Sequence, residues 1–319
     1  MPLVDADRFL LYAALLLALG SALGRIARGR PWAQFGAAWS LVAAVPTGGL
    51  GAWAWWFTHR TPPPPARETI APGVTWEREV HPGPVVVHVV TIALDAPGLR
   101  FFVSPGEPSP NGEARASTTG DFLEAHGLQV AVNGDFFGPF HSRALWDYYP
   151  HAGDPVEVSS LAISDGVRYS EPHPRGPSVY FTAAGRVLFD PPAVAPHDAV
   201  SGDLVFLRDG VALPSAAPYH LQRQPRTAVG VDAAGERLFL VVVDGRQPGY
   251  SVGIDVAGLA RVAREHGVAT ALNLDGGGSS TLVVADADGR ARLLNSPIDN
   301  GIPGRQRPVA NHLGVFVAR

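Results

Sequence analysis

Short apolar segments, separated by turns rich in glycine, proline and aspartate, recur along most of the chain. The segments at 84–94 and 237–243 are rich in valine and predict β-strands, because β-branched side chains suit a pleated, buried surface. Other predicted strands are 73–80, 99–103, 128–137, 159–164, 178–183, 186–189, 199–207, 226–231, 269–274, 281–285, 291–294 and 313–318. Asp-Gly and Ala-Gly turns between neighbouring segments indicate hairpins.

Two short segments carry the signals of helices. Residues 120–126 follow a threonine pair, residues 255–266 begin at Asp255, and both segments are followed by glycine. The strand at 237–243, the second helix and the strand at 269–274 form a predicted βαβ unit with parallel strands. Together with the hairpins, this unit predicts an α+β (mixed α/β) fold containing a mixed sheet.

Two long apolar runs, at 9–24 and 33–57, precede this pattern. The second is long enough for a membrane-spanning helix and ends in a tryptophan cluster, and the first is near the short limit. They predict an N-terminal transmembrane helical hairpin over residues 1–60, then a proline-rich linker at 61–72 and a domain at 73–319. A cleaved signal peptide and a buried helical hairpin stay open as alternatives.

Three arginines, Arg25, Arg28 and Arg30, lie between the two apolar runs. Positively charged connections tend to stay on the cytoplasmic side, so both ends of the hairpin should face outward. We therefore expect a multi-pass protein of the cytoplasmic membrane, with the membrane as a partner. Its domain at 73–319 should face the periplasm or the extracellular side.

Composition and charge exclude several classes of chemistry. The net charge of −4 argues against a nucleic-acid partner. The absence of cysteine excludes disulfides, thiolate catalysis and cysteine-ligated metals. The histidines lack zinc-site spacing, but aspartate, asparagine and serine oxygens suit calcium or magnesium, so a divalent cation stays open as a cofactor.

The segment at 269–281 combines a buried strand with a polar, glycine-rich turn. Asp275 follows the strand and precedes three glycines and two serines. Consecutive glycines let backbone amides converge on a ligand, and polar turns at strand ends are common binding sites. A capped structural turn is the simpler alternative. No Gly-Lys-Ser/Thr sequence follows the glycines, which argues against a P-loop.

An internal similarity links this turn to a second one. Residues 125–138 align without gaps on residues 265–278, so that Asn133 matches Asn273 and Asp135 matches Asp275. If the match is not a chance one, two strands end in equivalent Asn-x-Asp tips that could face one cleft.

Three predicted strand ends carry a carboxylate, and three arginines lie in loops or strand starts: Asp135, Asp244, Asp275, Arg226, Arg246 and Arg307. Paired carboxylates suit general acid–base or nucleophilic attack at an anomeric carbon, and guanidinium groups suit phosphate. The set therefore fits a sugar joined to a phosphate. Alternatively, some of these aspartates are turn residues, and Asp244 pairs with Arg246. A serine hydrolase is disfavoured because no Gly-x-Ser-x-Gly elbow is present.

Five motifs occur in an order that resembles the phosphodiester glycosidase domain: NGDFF at 133–137, RTAVG at 226–230, VDGR at 243–246, NLDGGGSS at 273–280 and RPVAN at 307–311. The resemblance covers about residues 73–319. It implies a mixed α/β fold and hydrolysis of a sugar-1-phosphodiester to free sugar and phosphomonoester. Two departures from the family pattern are Asp135, where glycine is common, and His312, where a small or apolar residue is usual.

The resemblance also implies which residues line the cleft. We expect Asp275 and Asp244 to be the catalytic carboxylates, with Arg226 and Arg307 on the phosphate. The predicted substrate-binding residues are Asn133, Asp135, Arg226, Arg246, Asn273, Gly276, Gly277, Gly278, Ser279, Ser280 and Arg307.

The sequence thus predicts a membrane-anchored, extracytoplasmic hydrolase that cleaves the glycosidic C–O bond of a sugar-1-phosphodiester. The expected partner is a glycosyl-phosphate or polysaccharide substrate. Two rival hypotheses stay open. One is a carbohydrate-binding or envelope-assembly protein without turnover, and the other is a metal-dependent phosphodiesterase that cleaves the P–O bond.

Overall fold

The computed structural model describes residues 13–19, 21–22, 31–144, 147–174 and 176–318. It divides into two compact units. The first takes the described residues up to Thr61 together with Pro248–Tyr250, and the second takes the rest of the described chain.

The first unit is helical. Residues 13–19 and 21–22 are in helix, and helix α1 spans Pro31–His59. Thr47 and Thr58 donate their hydroxyl hydrogens to carbonyl oxygens four residues back, at 2.7 and 2.9 Å. The Arg60 guanidinium lies 4.5 Å from the centre of the Tyr250 ring.

The predicted transmembrane hairpin is contradicted by the structure. In the described part of the chain, no helix is both long enough and apolar enough to cross a bilayer. Small and polar residues, among them Gln34, Ser40 and Thr47, lower the mean hydropathy of α1. The multi-pass location in the cytoplasmic membrane, which rested on two spans, is contradicted by the same finding. The arginine-rich connection lies outside the described residues.

The second unit is built from five antiparallel sheets whose strands are numbered along the chain. The largest sheet has, in spatial order, β1 (Ala66–Ala71), β2 (Val74–His81), β3 (Val85–Ala93), β19 (Arg237–Val243), β18 (Arg226–Asp232), β20 (Val268–Asn273), β16 (Leu204–Arg208) and β17 (Val211–Ala212). A second sheet has β22 (Ala291–Leu293), β21 (Leu282–Ala285), β6 (Val130–Asn133), β23 (His312–Phe316) and β4 (Arg100–Val103).

Three further sheets complete the unit. One has β12 (Val167–Ser170), β11 (Ala162–Ser164), β15 (Asp198–Ser201), β13 (Ser178–Phe181) and β14 (Val187–Leu188). The others are β5 (Ala114–Arg115), β10 (Pro155–Val158) and β7 (Phe137–Gly138), and the pair β8 (His141–Ala144) and β9 (Asp147–Tyr149). The helices of this unit are α2 (Thr119–His126), α3 (Pro218–Leu221) and α4 (Val256–Glu265).

The largest sheet and the second sheet, which contains β6 and β23, pack face to face around the main core. Alternate residues of β3 and β19, such as Val90 and Leu240, meet Val132 and Leu313 of the second sheet. The other face of the largest sheet is covered by α4, and the other face of the second sheet is covered by α2. This arrangement explains why the strands are apolar on both faces. The unit is a sandwich of two sheets with one helix on each outer side.

The predicted mixed sheet is wrong, and the fold is mostly β. The strand, helix and strand of the βαβ prediction exist as β19, α4 and β20, but β18 lies between the two strands and pairs antiparallel with both. Every pair of named strands among the described residues is antiparallel. After α4 the chain therefore re-enters the same sheet as β20, which is separated from β19 by β18.

Candidate active site

The glycine-rich turn after β20 is the centre of the candidate site. The backbone amide of Leu274 donates to the carbonyl of Thr227 at 2.9 Å, and that of Asp275 donates to the carbonyl of Gly134 at 3.0 Å. Gly277 then donates to the Pro225 carbonyl at 2.9 Å. These bonds fix the turn between the start of β18 and the loop that follows β6.

Asn133 joins the two Asn-x-Asp tips. Its side chain is fully buried. Its amide nitrogen donates to the Asp275 carbonyl at 2.7 Å, and its oxygen accepts from the Thr227 hydroxyl at 2.8 Å and from the Thr281 amide at 3.1 Å. Because both polar atoms of its side chain bind the protein, Asn133 supports the structure of the site. The internal similarity thus leads to two tips that are hydrogen-bonded to each other.

The carboxyl groups of the two tips share a buried environment. Burial raises the pKa of Asp275 to about 6, against the opposing effects of the Ser279 hydroxyl and the Arg307 charge. Burial and the negative charge of Asp275 raise the pKa of Asp135 to about 8, although the Phe136 amide donates to its Oδ1 at 2.7 Å. At neutral pH this pair holds one neutral acid and one carboxylate.

Asp135 has unused hydrogen-bonding capacity. Its residue is 1% exposed, and its Oδ2 atom has no hydrogen-bond partner in the described part of the chain. The amide of Ser160 lies nearby, outside hydrogen-bonding geometry. Asn311 holds the backbone, since its Oδ1 accepts from the Asp135 amide at 2.8 Å. A buried oxygen of this kind is expected to meet a ligand or water.

The glycines allow two arginines to lie directly on the turn. A Cβ atom added to Gly277, which has φ +63°, would be 2.7 Å from Nη2 of Arg246. A Cβ on Gly278 would be 2.7 Å from Cζ of Arg307. Both distances are below the normal limit for carbon contacts, so side chains larger than hydrogen would displace the guanidinium groups. The glycine run therefore makes room for positive charge.

Arg307 is the best oriented of these cations. It donates from Nε to Asp299 at 2.9 Å and from Nη1 to the Ser279 hydroxyl at 3.3 Å. The exposed ring of Phe140 lies 4.2 Å from its Cζ atom. Arg246 donates from Nε to Gln224 at 2.6 Å and has a left-handed backbone (φ 57°), which is uncommon for a side chain of this size.

Arg226 is fully buried and carries no carboxylate partner in the described residues. It donates to the carbonyls of Ile254, Tyr219 and Gln222, at 2.7 to 3.2 Å, and its Nη1 atom has no partner among the described residues. Burial lowers the pKa of this guanidinium. An incompletely paired buried cation favours binding of an anion.

Asp244 lies in a different environment from Asp275. It is fully buried, and its Oδ1 accepts from Asn295 at 3.0 Å and from the Ser296 amide at 2.8 Å. Its Oδ2 lies 3.1 Å from Nε2 of His88. These contacts occupy both carboxylate oxygens. The pairing of Asp244 with Asp275 in catalysis stays a prediction, and the contacts give Asp135 the stronger case.

Sequence reasoning missed Tyr219, Asp203 and His220. Burial and the charge of Asp275 raise the pKa of Tyr219 to about 12, and its hydroxyl would be 2.6 Å from a Cβ on Gly276. Asp203 interacts electrostatically with both Asp135 and Asp275. These residues lie in loops or in a four-residue helix and belong to no motif, so no local pattern predicts them.

The remaining predicted residues are also at this turn. Asn273 is fully buried at the end of β20, and Ser280 is nearly so. The Ser280 hydroxyl has no partner among the described residues. His312, by contrast, is structural: its ring is fully buried, stacks on Phe122 at 4.7 Å and hydrogen-bonds to Ser104 at 2.8 Å.

Among the described residues, the one close group of possible metal ligands is Glu77, Glu79 and His266, away from the glycine-rich turn. A divalent cation at the turn stays an open possibility that chelation can test.

The buried acid pair, the glycine-rich turn and the arginines together form one candidate site. The chain belongs to the phosphodiester glycosidase family, whose profile matches residues 126–316. This membership confirms the resemblance drawn from the motifs and supports a glycosidase-type function.

Solved structures share the fold. The catalytic domain of zebrafish N-acetylglucosamine-1-phosphodiester alpha-N-acetylglucosaminidase, auto-inhibited by its pro-peptide, is 20% identical with a TM-score of 0.57, over 82% of this chain and 86% of that one. A hypothetical protein from Synechocystis is 18% identical with a TM-score of 0.50, over 80% and 64%. A putative exported protein from Burkholderia pseudomallei K96243 is 16% identical with a TM-score of 0.51, over 73% and 74%. None of the curated proteins compared with the sequence matches it.

Proposed function

We propose that the protein hydrolyses the glycosidic C–O bond of a sugar-1-phosphodiester, releasing free sugar and a phosphomonoester. The observation that carries this proposal is the pair Asp135 and Asp275, whose raised pKa values of about 8 and about 6 give one acid and one base at neutral pH. The pair lies beside a turn on which two guanidinium groups rest.

The acid pair fits the two proton roles of glycoside hydrolysis. Asp135, still protonated at neutral pH, donates to the bridging oxygen that leaves with the phosphate. Asp275, ionised at the same pH, either activates water or attacks the anomeric carbon. In both cases water supplies the new oxygen on the sugar, and the bridging oxygen departs with phosphorus.

The cations fit the phosphodiester part. Arg307 is anchored to Asp299 and Ser279, so its orientation is set before substrate arrives. Arg246 and Arg307 lie on neighbouring glycines, and Arg226 adds a buried charge within electrostatic range of Arg246. Preorganised guanidinium groups bind phosphate in two-point geometry and stabilise the negative charge that builds up on the leaving group.

The test uses the full chain, a panel of sugar-1-phosphodiesters and water labelled with oxygen-18. We expect free sugar and phosphomonoester, with the label in the sugar. Asp275→Asn and Asp135→Asn should lose at least about a hundredfold in kcat. Asp209→Asn, at an exposed turn, is the matched control and should keep full activity.

The rival hypotheses give other products. Label in the phosphate together with sugar 1-phosphate would mean P–O cleavage and would refute the glycosidase proposal; loss of that activity with a chelator would support the metal-dependent phosphodiesterase. Saturable binding without product from any substrate of the panel would favour a carbohydrate-binding protein.

A further inference from the structure

A row of four side chains leads from the candidate site into the surrounding loops. The amide nitrogen of Asn273 donates to Oδ1 of Asp203 at 2.8 Å. The other Asp203 oxygen lies 2.8 Å from Nε2 of His220, and Nδ1 of His220 lies 2.6 Å from the Ser215 hydroxyl. The Ala217 amide donates to that hydroxyl at 3.3 Å.

The carboxylate of Asp203 fixes the direction of its two hydrogen bonds. A carboxylate accepts but cannot donate, so Nε2 of His220 carries a hydrogen. In the neutral imidazole Nδ1 is then an acceptor, and the Ser215 hydroxyl can donate to it while accepting from the Ala217 amide. By the same reasoning, the Asn273 side chain must present its NH₂ group to Asp203. Its oxygen must therefore point the other way.

That oxygen has no partner. Asn273 is fully buried, and its Oδ1 atom lacks a hydrogen bond to any described residue. Leaving a buried acceptor unpaired is unfavourable, so such an atom usually meets a ligand or water. Asp203, which holds the amide nitrogen of Asn273 at 2.8 Å, interacts electrostatically with both Asp135 and Asp275, so Asn273 borders the acid pair.

We propose that Oδ1 of Asn273 accepts a hydrogen bond from a hydroxyl or amide N–H group of the glycosyl moiety, and that Asp203 and His220 are positioning residues that hold it in this orientation. This inference rests on the proposed function. It assigns Asn273 to the sugar and not to the phosphate, because an ionised phosphodiester offers acceptors only and cannot donate to an oxygen.

The interaction can be measured by binding, independently of turnover. The probes are non-hydrolysable glycosyl phosphonate esters: one parent compound and a series in which each donor group of the sugar is removed in turn. Kd is measured by calorimetry for the full wild-type chain, Asn273→Ala, His220→Gln and the milder Ser215→Ala. The control is His266→Gln, which breaks another imidazole–carboxylate contact, of 3.2 Å to Glu79, on β2.

We expect one analogue of the series to bind the wild type about tenfold more weakly than the parent, the effect of losing one hydrogen bond in a buried site. Asn273→Ala should remove this difference, His220→Gln and Ser215→Ala should reduce it, and His266→Gln should leave it intact. A purely structural role for His220 would weaken all ligands equally and preserve the difference.

Equal losses across the series in the wild type and in Asn273→Ala would overturn the inference, and so would the absence of binding by every compound. Hydrolysis of the matching phosphodiesters by the wild type is measured separately. Coupled binding without hydrolysis would reject the proposed function and keep the inference, whereas hydrolysis without coupling would do the reverse.

Discussion

Replacing Asp135 by asparagine should make the folded protein less sensitive to pH. In the folded chain this carboxyl group has a pKa of about 8, against 3.8 for an ordinary aspartate, because it is buried and lies near Asp275. Between these values the folded state holds a proton that the unfolded state has released. The contribution of Asp135 is therefore fully present below a pH of about 4 and is lost as the pH rises to about 8.

The size of the effect follows from proton linkage. One extra proton bound by the folded state lowers the free energy of unfolding by about 1.4 kcal/mol for each unit of pH. Over a window of about four pH units the loss is at most about 6 kcal/mol, a large part of the stability of a typical domain. Asparagine cannot ionise, so the Asp135→Asn variant lacks this loss.

The assay is urea unfolding of the full chain, followed by the circular dichroism of its sheets at several pH values from 5 to 9. We expect the variant to gain stability relative to the wild type by about 1.4 kcal/mol per pH unit up to a pH of about 8, and then no further. Asp209→Asn controls for the replacement of a carboxylate by an amide. A stability difference that stays constant with pH would refute the assignment of Asp135 as a buried acid.

The same pKa values predict the activity profile. If Asp135 donates a proton, kcat/KM should fall as the pH rises through about 8, and if Asp275 acts as base or nucleophile, kcat/KM should rise as the pH passes through about 6. A profile that is flat across this range would contradict both roles.

Three further outcomes follow from the turn. Gly277→Ala should lower kcat/KM at least about tenfold by displacing Arg246. The control is Gly127, which has nearly the same φ (+64° against +63°) but open space around it. Gly127→Ala should change only stability, which melting curves would show. Arg307→Lys should lower kcat/KM for phosphodiesters about tenfold to a hundredfold, because lysine cannot hold two partners in one plane. Arg237→Lys is the control. An equal loss of kcat/KM in the two variants would argue against a phosphate contact of Arg307. Exhaustive chelation should leave hydrolysis unchanged, and its loss, restored by calcium or magnesium, would establish a cation requirement.

Local signals in the sequence located much of the second unit. The caps of α2 and α4 are as expected: Thr118 accepts from the Asp121 amide, and Asp255 accepts from the Gly258 amide. The valine-rich segments form strands inside the largest sheet, and the glycine-rich turn lies at the centre of the candidate site. These features depend on residues close together in the chain, which is why the sequence alone could predict them.

Features that depend on distant residues were not predictable in the same way. A strand–helix–strand order is compatible with adjacent parallel strands and with strands separated by a third, and only the pairing of β18 with both β19 and β20 decides between them. The length of the N-terminal apolar runs and the tryptophans at the end of the second run predicted a transmembrane hairpin, but no helix in the described part of the chain is both long enough and apolar enough to span a membrane. Tyr219 and Asp203 reach the site through loop geometry, which no local pattern encodes.

The hydrogen bonds of Asn133 connect the largest sheet with the second sheet. The residue ends β6 in one sheet, and its oxygen accepts from Thr227 on β18 in the other. Since each sheet supplies one acidic tip, the proposed acid pair exists only while the two sheets are packed together. A ligand that binds both tips would stabilise the packed sheets, so inhibitors of this site should also raise the free energy of unfolding.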